Sequence, residues 1–142
     1  MSDFTKIVFK LQVDEAEQWP PVGFESIWGI PRTAGAYTVD NVPYYIYGVS
    51  KADIISAHRD GDQWRADAVM QRGGHSTLRV FADYGSQAWL AMIERLSELG
   101  AACGVFKGLS LFTVDIPATV DFQAIDAYLA SVADGDDVFY ED

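Results

Sequence analysis

Apolar and polar positions alternate from the start of the chain. Ile7, Phe9, Leu11 and Val13 fall on one face, with Lys6, Lys10 and Gln12 opposite beside Val8. A period of two is the signature of a half-buried strand. Residues 14–21 break the pattern and end in Trp19-Pro20-Pro21, where fixed φ and missing N–H donors oppose helix and ladder alike. Residues 22–30, carrying Phe24, Ile27 and Trp28, predict a second strand stopped by Pro31, and residues 35–39 a short third. A fourth over 53–58 meets a fifth over 63–72 through Asp60-Gly61, a pair that tolerates the positive φ of a hairpin turn. In the fifth, Trp64, Ala66, Ala68 and Met70 share one face, and Arg65 and Asp67 lie on the other. Gly73-Gly74 turns the chain into a strand over 75–82.

The period then lengthens. Ser86 is placed to cap a helix over 87–99, with Gly100 closing it in the left-handed region. Trp89, Ile93, Leu96 and Leu99 recur at steps of four and three, the spacing of one buried helix face. Strands over 101–106 and 109–116 follow, the second ended by Pro117. Asp121 is an N-cap, and Val120 and Ile125 match a hydrophobic staple for a helix burying Phe122, Tyr128, Leu129 and Val132 as well. Asp134-Gly135-Asp136-Asp137 is a turn before a short last strand at Val138, Phe139 and Tyr140.

These elements predict an α+β protein. An N-terminal bent β-sheet or small β-barrel continues into a β-α-β-β-α-β half with the order of the ferredoxin-like plan. At 142 residues the chain fits a single compact domain over 1–142, mostly β over 1–74 and α/β over 75–142. The two subregions share the strand at 75–83.

Between the third and fourth strands lies the densest block of directional polar groups outside the termini: Asp40, Asn41, Pro43, Tyr44, Tyr45 and Tyr47, closed by Gly48. A second polar cluster, His75, Ser76, Thr77 and Arg79, could hold an anion, because an arginine fork matches a carboxylate or phosphate. The plainer reading joins the two: Arg79 pairs with Asp40 or Asp53, and the tyrosine stretch is a latch between the β-region and the α/β half.

Charge changes the picture at the far end. The net charge is −11; residues 108–142 hold eight acidic residues and no Lys or Arg, so they supply −8 of it. Such a stretch repels phosphate backbones and anionic membranes and attracts a basic partner. Neither nucleic acid nor a membrane is therefore expected as a partner. The N-terminal residues, Met1-Ser2-Asp3-Phe4-Thr5-Lys6, lack the basic-then-apolar pattern of a signal peptide, and no apolar run approaches the ~20 residues that span a bilayer. A cytoplasmic location is expected.

Tests for reaction chemistry give little. His58, Asp60 and Asp62 crowd one turn, but a metal site needs three or four convergent ligands and the turn already requires Asp-Gly. Asp14, Glu15 and Glu17 lack the spacing of a calcium loop. No nucleophile elbow, dinucleotide fingerprint or P-loop occurs. The single cysteine, Cys103, reads as a buried small apolar residue. No catalytic residue, metal or cofactor is expected.

Several segments resemble, in order, a bacterial family of uncharacterised proteins, domain of unknown function 4265. They are Lys6-Ile7-Val8-Phe9, Glu25-Ser26-Ile27-Trp28, Val39-Asp40-Asn41-Val42-Pro43-Tyr44-Tyr45, Gly48-Val49-Ser50, Asp53, Ser76-Thr77-Leu78-Arg79, Leu99-Gly100 and Val114-Asp115-Ile116-Pro117. The likeness spans nearly the whole chain, and the Asp-Asn-x-Pro-aromatic segment is its most specific part. The family often has Gly before the residue matching Asp53; Ala52 here disfavours a left-handed backbone at that point. The resemblance implies a soluble, stand-alone bacterial protein and carries no activity or catalytic residues with it.

The function expected is a non-enzymatic acidic interaction protein, of the kind an inhibitor or immunity protein against a basic toxin would be. Its binding residues would be Asp134, Asp136, Asp137, Phe139, Tyr140 and Glu141. The alternative is a small-ligand binding module or an enzyme using Asp40, Asn41, Tyr44, Tyr45, Ser76 and Arg79, in the segments 40–47 and 76–79.

Overall fold

The computed structural model describes residues 4–33 and 35–142; the first three residues of the N-terminal stretch considered for a signal sequence lie outside them. The chain is α+β, with nine strands and two helices among the described residues. It divides into two units, Met1–Gly73 and Gly74–Asp142. No helix of the described residues is long and apolar enough to cross a membrane.

In the first unit β1 (Thr5–Lys10), β2 (Phe24–Pro31), β3 (Ala36–Val39), β4 (Ile54–Asp60) and β5 (Gln63–Gln71) form a closed barrel. Neighbours run antiparallel, and a short parallel pairing of β1 with β5 closes the ring. Closure removes the exposed edges that an open sheet would present. The barrel core is built from the inward positions of the alternation, including Ile7, Leu11, Ile27, Tyr37, Val39 and Ile55.

The alternation expected along β5 does not hold to its end. Trp64 and Ala66 pack on the core, but Val69 replaces Ala68 and Met70, which is 62% exposed. The cause lies in the register: Ala57 pairs with Ala66 and Ser56 with Ala68, so Asp67 is bulged out; Ile55 pairs with Val69 and Ile54 with Gln71, so Met70 is too. Each extra residue resets which side chains face inward.

The second unit runs β6 (Ser76–Phe81), α1 (Gln87–Glu98), β7 (Ala102–Val105), β8 (Leu111–Ile116), α2 (Phe122–Val132) and β9 (Phe139–Glu141). Its antiparallel sheet has the order β7-β8-β6-β9. Leu78, Val80, Phe112, Val114 and Ile116 join Trp89, Met92, Leu96, Ile125 and Leu129 of the helices in one core. The expected stripe of α1 thus centres on Met92, with Ile93 and Leu99 only partly buried. Ser86 and Asp121 cap their helices as their side chains permit, accepting from Trp89 N at 3.1 Å and Gln123 N at 3.0 Å. Gly100, at φ 100°, lets Ala101 N return to Leu96 O and end α1.

Candidate functional site

In the barrel unit the tyrosine loop over residues 40–53 is fastened by four side chains. Asn41 Oδ1 accepts from Trp28 N at 2.7 Å, next to the Asp40 N to Trp28 O bond, and so extends the β2–β3 ladder. Glu25 on β2 points at three successive amides: Oε2 accepts from Tyr44 N at 2.6 Å, and Oε1 from Tyr45 N at 2.9 Å and Ile46 N at 3.0 Å. A carboxylate collecting consecutive N–H groups folds the loop over itself, since bonds to a charged acceptor are the strong ones. Asp53 is fully buried and accepts from Ser50 N at 2.9 Å, Gly73 N at 2.8 Å and Arg72 Nη1 at 3.2 Å. Arg72 Nη1 also donates to Gly48 O.

Ala52 corrects an expectation. It adopts a left-handed backbone at φ 74° although it is not glycine. The turn it serves is held from both sides: Ala52 N donates to Val39 O, Asp53 N to Ser50 O, and the Asp53 carboxylate binds its surroundings. Gly73 packs so closely on this turn that a Cβ there would lie 2.2 Å from Ala52 O. These contacts over-determine a backbone that local preference disfavours.

Asp40 is half-buried, and its bond to the barrel is through its backbone N–H; Tyr44 and Tyr45 lie on the Glu25-held turn, with ring centroids 6.2 Å apart. Burial and then the Glu25 charge push the Tyr45 phenol up from its ordinary value. Ser76 and Arg79 belong to the second unit, on β6, where Arg79 is buried and Ser76 half-buried. The segments of the alternative site thus lie in different units.

The acidic end lies in the second unit. Asp134 N and Gly135 N donate to Val138 O, and Asp134 Oδ1 accepts from Asp136 N and Val138 N, both at 2.9 Å. The backbone bonds from Val138 and Asp136 hold the Asp134 carboxyl below its ordinary value. Asp136 and Asp137 are exposed. Phe139 stacks on Phe81 at 4.5 Å and 10° yet stays 43% exposed. Tyr140, on the other face of β9, packs against the core; its hydroxyl donates to Asp126 Oδ1 at 2.8 Å, a bond that raises its pKa. Glu141 is half-buried, opposite Arg79 in the β6–β9 register.

One pair escapes the sequence. His75 Nδ1 lies 2.8 Å from Asp115 Oδ1, and Asp115 is almost completely buried. The two are 40 positions apart, and only the β6–β8 pairing, which sets Thr77 opposite Asp115, brings them together. His58 pairs with Asp67, the first of the two bulged residues of β5, at 2.7 Å, and Asp60 takes Arg65 Nε at 2.7 Å. Burial pushes the Cys103 thiol up to about 11, which leaves it protonated and a poor nucleophile near neutrality.

A barrel unit followed by a two-helix, four-stranded unit defines an α+β protein whose polar clusters serve mainly to fasten turns. The chain matches the family described as Domain of unknown function (DUF4265) over residues 25–138, and it belongs to that family. The crystal structure of a hypothetical protein from Neisseria gonorrhoeae is similar at a TM-score of 0.78. The similarity covers 99% of this chain and 94% of that one at 15% identity, so it shows a common fold. No curated protein matches the chain.

Proposed function

We propose that this is a non-enzymatic acidic interaction protein that docks a basic partner at the C-terminal end of its second unit, as an inhibitor or immunity protein docks a toxin. The observation that carries the reading is the Phe81–Phe139 stack: a large ring left 43% exposed beside the exposed Asp136 and Asp137. Exposed aromatic anchors supply affinity, and surrounding charge supplies speed and choice of partner. Asp134 acts differently from its neighbours, because its carboxylate shapes the turn that presents them. The strand order β7-β8-β6-β9 with helices after the first and third strands supports a ferredoxin-like reading of this unit. A bacterial, cytoplasmic setting fits the reading.

The test is capture of a basic protein from the native host, repeated with Phe139→Ala and with Asp136→Lys/Asp137→Lys. A stoichiometric partner, released by salt and lost with both variants, supports the proposal. Capture that ignores both variants, or no capture at low salt under several growth conditions, defeats it.

A second reading, a small-ligand module or enzyme, draws support from the His75–Asp115 pair, since a buried carboxylate fixes the tautomer of a histidine for proton transfer. A ligand that raises the melting temperature of the wild type and not of His75→Gln would favour it.

A further inference from the structure

The outer wall of the barrel carries a hollow that neither reading of the function uses. It measures about 330 Å³ and is lined by Lys6, Val8, Phe24, Ser26, Gln63 and Arg65. Strand pairing brings these residues together. Val8 stands opposite Ser26 of β2 on one side and Arg65 of β5 on the other. Lys6 and Gln63 lie two residues before Val8 and Arg65, and Phe24 two before Ser26, so the period of two keeps all six on one face. Ile7, between Lys6 and Val8, turns into the barrel core. Val8 is buried without belonging to that core, which makes it the floor of the hollow.

Every polar side chain of the lining can donate a hydrogen bond, and none is a carboxylate. In a chain with 21 acidic and 10 basic residues this is a local reversal of charge. Lys6 enters no ion pair among the described residues. Arg65 is set before anything binds: Nε donates to Asp60 Oδ2 at 2.7 Å, and the guanidinium lies over Phe24 at 5.6 Å from the ring centroid. Asp60 takes Nε alone, so the Nη donors of the fork remain for a ligand. The Phe24 ring is 52% exposed and offers an apolar contact beside the two cations.

Two cations, two neutral donors and a ring select an anion attached to a flat apolar body. A phosphate monoester carries a charge of about −1.5 to −2 at neutral pH and three acceptor oxygens, enough to engage both cations at once. A carboxylate brings a single charge. An aromatic body covers Phe24 and Val8 and loses few rotors on binding. The volume falls at the small end of the range of about 300–1,000 Å³ for ligand pockets, the size for a small molecule. The negative field of the whole protein opposes an approaching anion, but it is screened beyond about 8 Å at physiological ionic strength, so the cations at contact decide.

We propose that this hollow binds a small aromatic phosphate monoester, with Lys6 and Arg65 on the phosphate and the ring against Phe24. The test is a titration of the full chain with phenyl phosphate at about 0.15 M salt, followed by the amide resonances, with inorganic phosphate, benzoate and benzylamine for comparison. Saturable shifts at millimolar phenyl phosphate are expected, centred on β1, β2 and β5 around Val8. Inorganic phosphate and benzoate should bind about fivefold or more weakly, and benzylamine not at all. Lys6→Gln and Arg65→Gln should each weaken phenyl phosphate by about tenfold. Lys6 is exposed, so Lys6→Gln carries the test if Arg65→Gln does not fold. No saturation, shifts centred elsewhere, or wild-type affinity in Lys6→Gln would overturn the proposal. So would inorganic phosphate, benzoate or benzylamine binding as tightly as phenyl phosphate, or an oligothymidylate binding more tightly.

Discussion

Replacing Glu25 with alanine should loosen the barrel unit through one mechanism, the loss of an acceptor for three backbone donors. The carboxylate receives Tyr44 N at 2.6 Å, Tyr45 N at 2.9 Å and Ile46 N at 3.0 Å. A hydrogen bond to a charged acceptor contributes about 1.5–3 kcal/mol, and a buried donor left unmade costs about 1–3 kcal/mol. Glu25 is only half-buried, so water can reach some of the freed amides. The expected loss is about 2–3 kcal/mol, below the simple sum. Glu25→Gln keeps one carbonyl oxygen, which can retain the pair of bonds at Oε1 but turns an NH2 group toward Tyr44 N. It should cost about 1–2 kcal/mol on the same scale. Urea unfolding measures both, and hydrogen exchange at the amides of Tyr44, Tyr45 and Ile46 localises the effect. If alanine costs less than about 0.5 kcal/mol, or exchange at these amides does not accelerate, the carboxylate is not what holds the loop.

Two further outcomes follow from the same geometry. Ala52→Gly should stabilise the protein by about 0.5–1 kcal/mol. Relief of a left-handed alanine is worth about 1–2 kcal/mol, and the greater freedom of glycine in the unfolded chain offsets about 0.4–1 kcal/mol of it; thermal melts of the two proteins measure the difference. Asp134→Asn should destabilise at neutral pH and matter less in acid. The folded carboxyl lies below its ordinary 3.8, so its contribution is complete above that value and is lost as pH falls through the lower folded one. Melting curves of wild type and variant should therefore converge as the pH is lowered below the ordinary carboxylate range.

The periodic elements are legible because burial and secondary structure impose the same spacing. Both helices begin at the capping residue expected, Ser86 and Asp121. The end of β5 is not legible, since nothing in Asp67-Ala68-Val69-Met70 marks two bulges; the register with β4 decides them. Ala52 misleads for a related reason: local preference opposes φ 74°, and contacts from Val39 and Gly73 override it. Glu25 stands in a strand as an ordinary polar residue, and its three amides lie 19 to 21 positions away. His75 and Asp115 are each visible as polar residues; their meeting depends on a strand pairing that spacing alone does not encode.

The carboxylates of this protein divide by what they already hold, and the division bears on where a partner can act. Glu25, Asp53, Asp115 and Asp134 are each committed to backbone amides or a neighbouring cation or histidine. A carboxylate so bound is partly neutralised toward the outside and cannot turn to meet a ligand without releasing its own donors. Asp136 and Asp137 are exposed and have no ion pair among the described residues. Charges of this kind act over about 8–10 Å at ordinary ionic strength, far enough to guide an approaching basic surface and too exposed to hold it. In the proposed interaction, holding falls to Phe139. Covering the exposed 43% of a ring of roughly 200 Å² at about 25 cal/mol per Å² is worth about 2 kcal/mol. Loss of that ring should therefore appear mainly in the dissociation rate, and loss of Asp136 and Asp137 in the association rate and its salt dependence. If both changes altered only the dissociation rate, steering by the acidic turn would be ruled out.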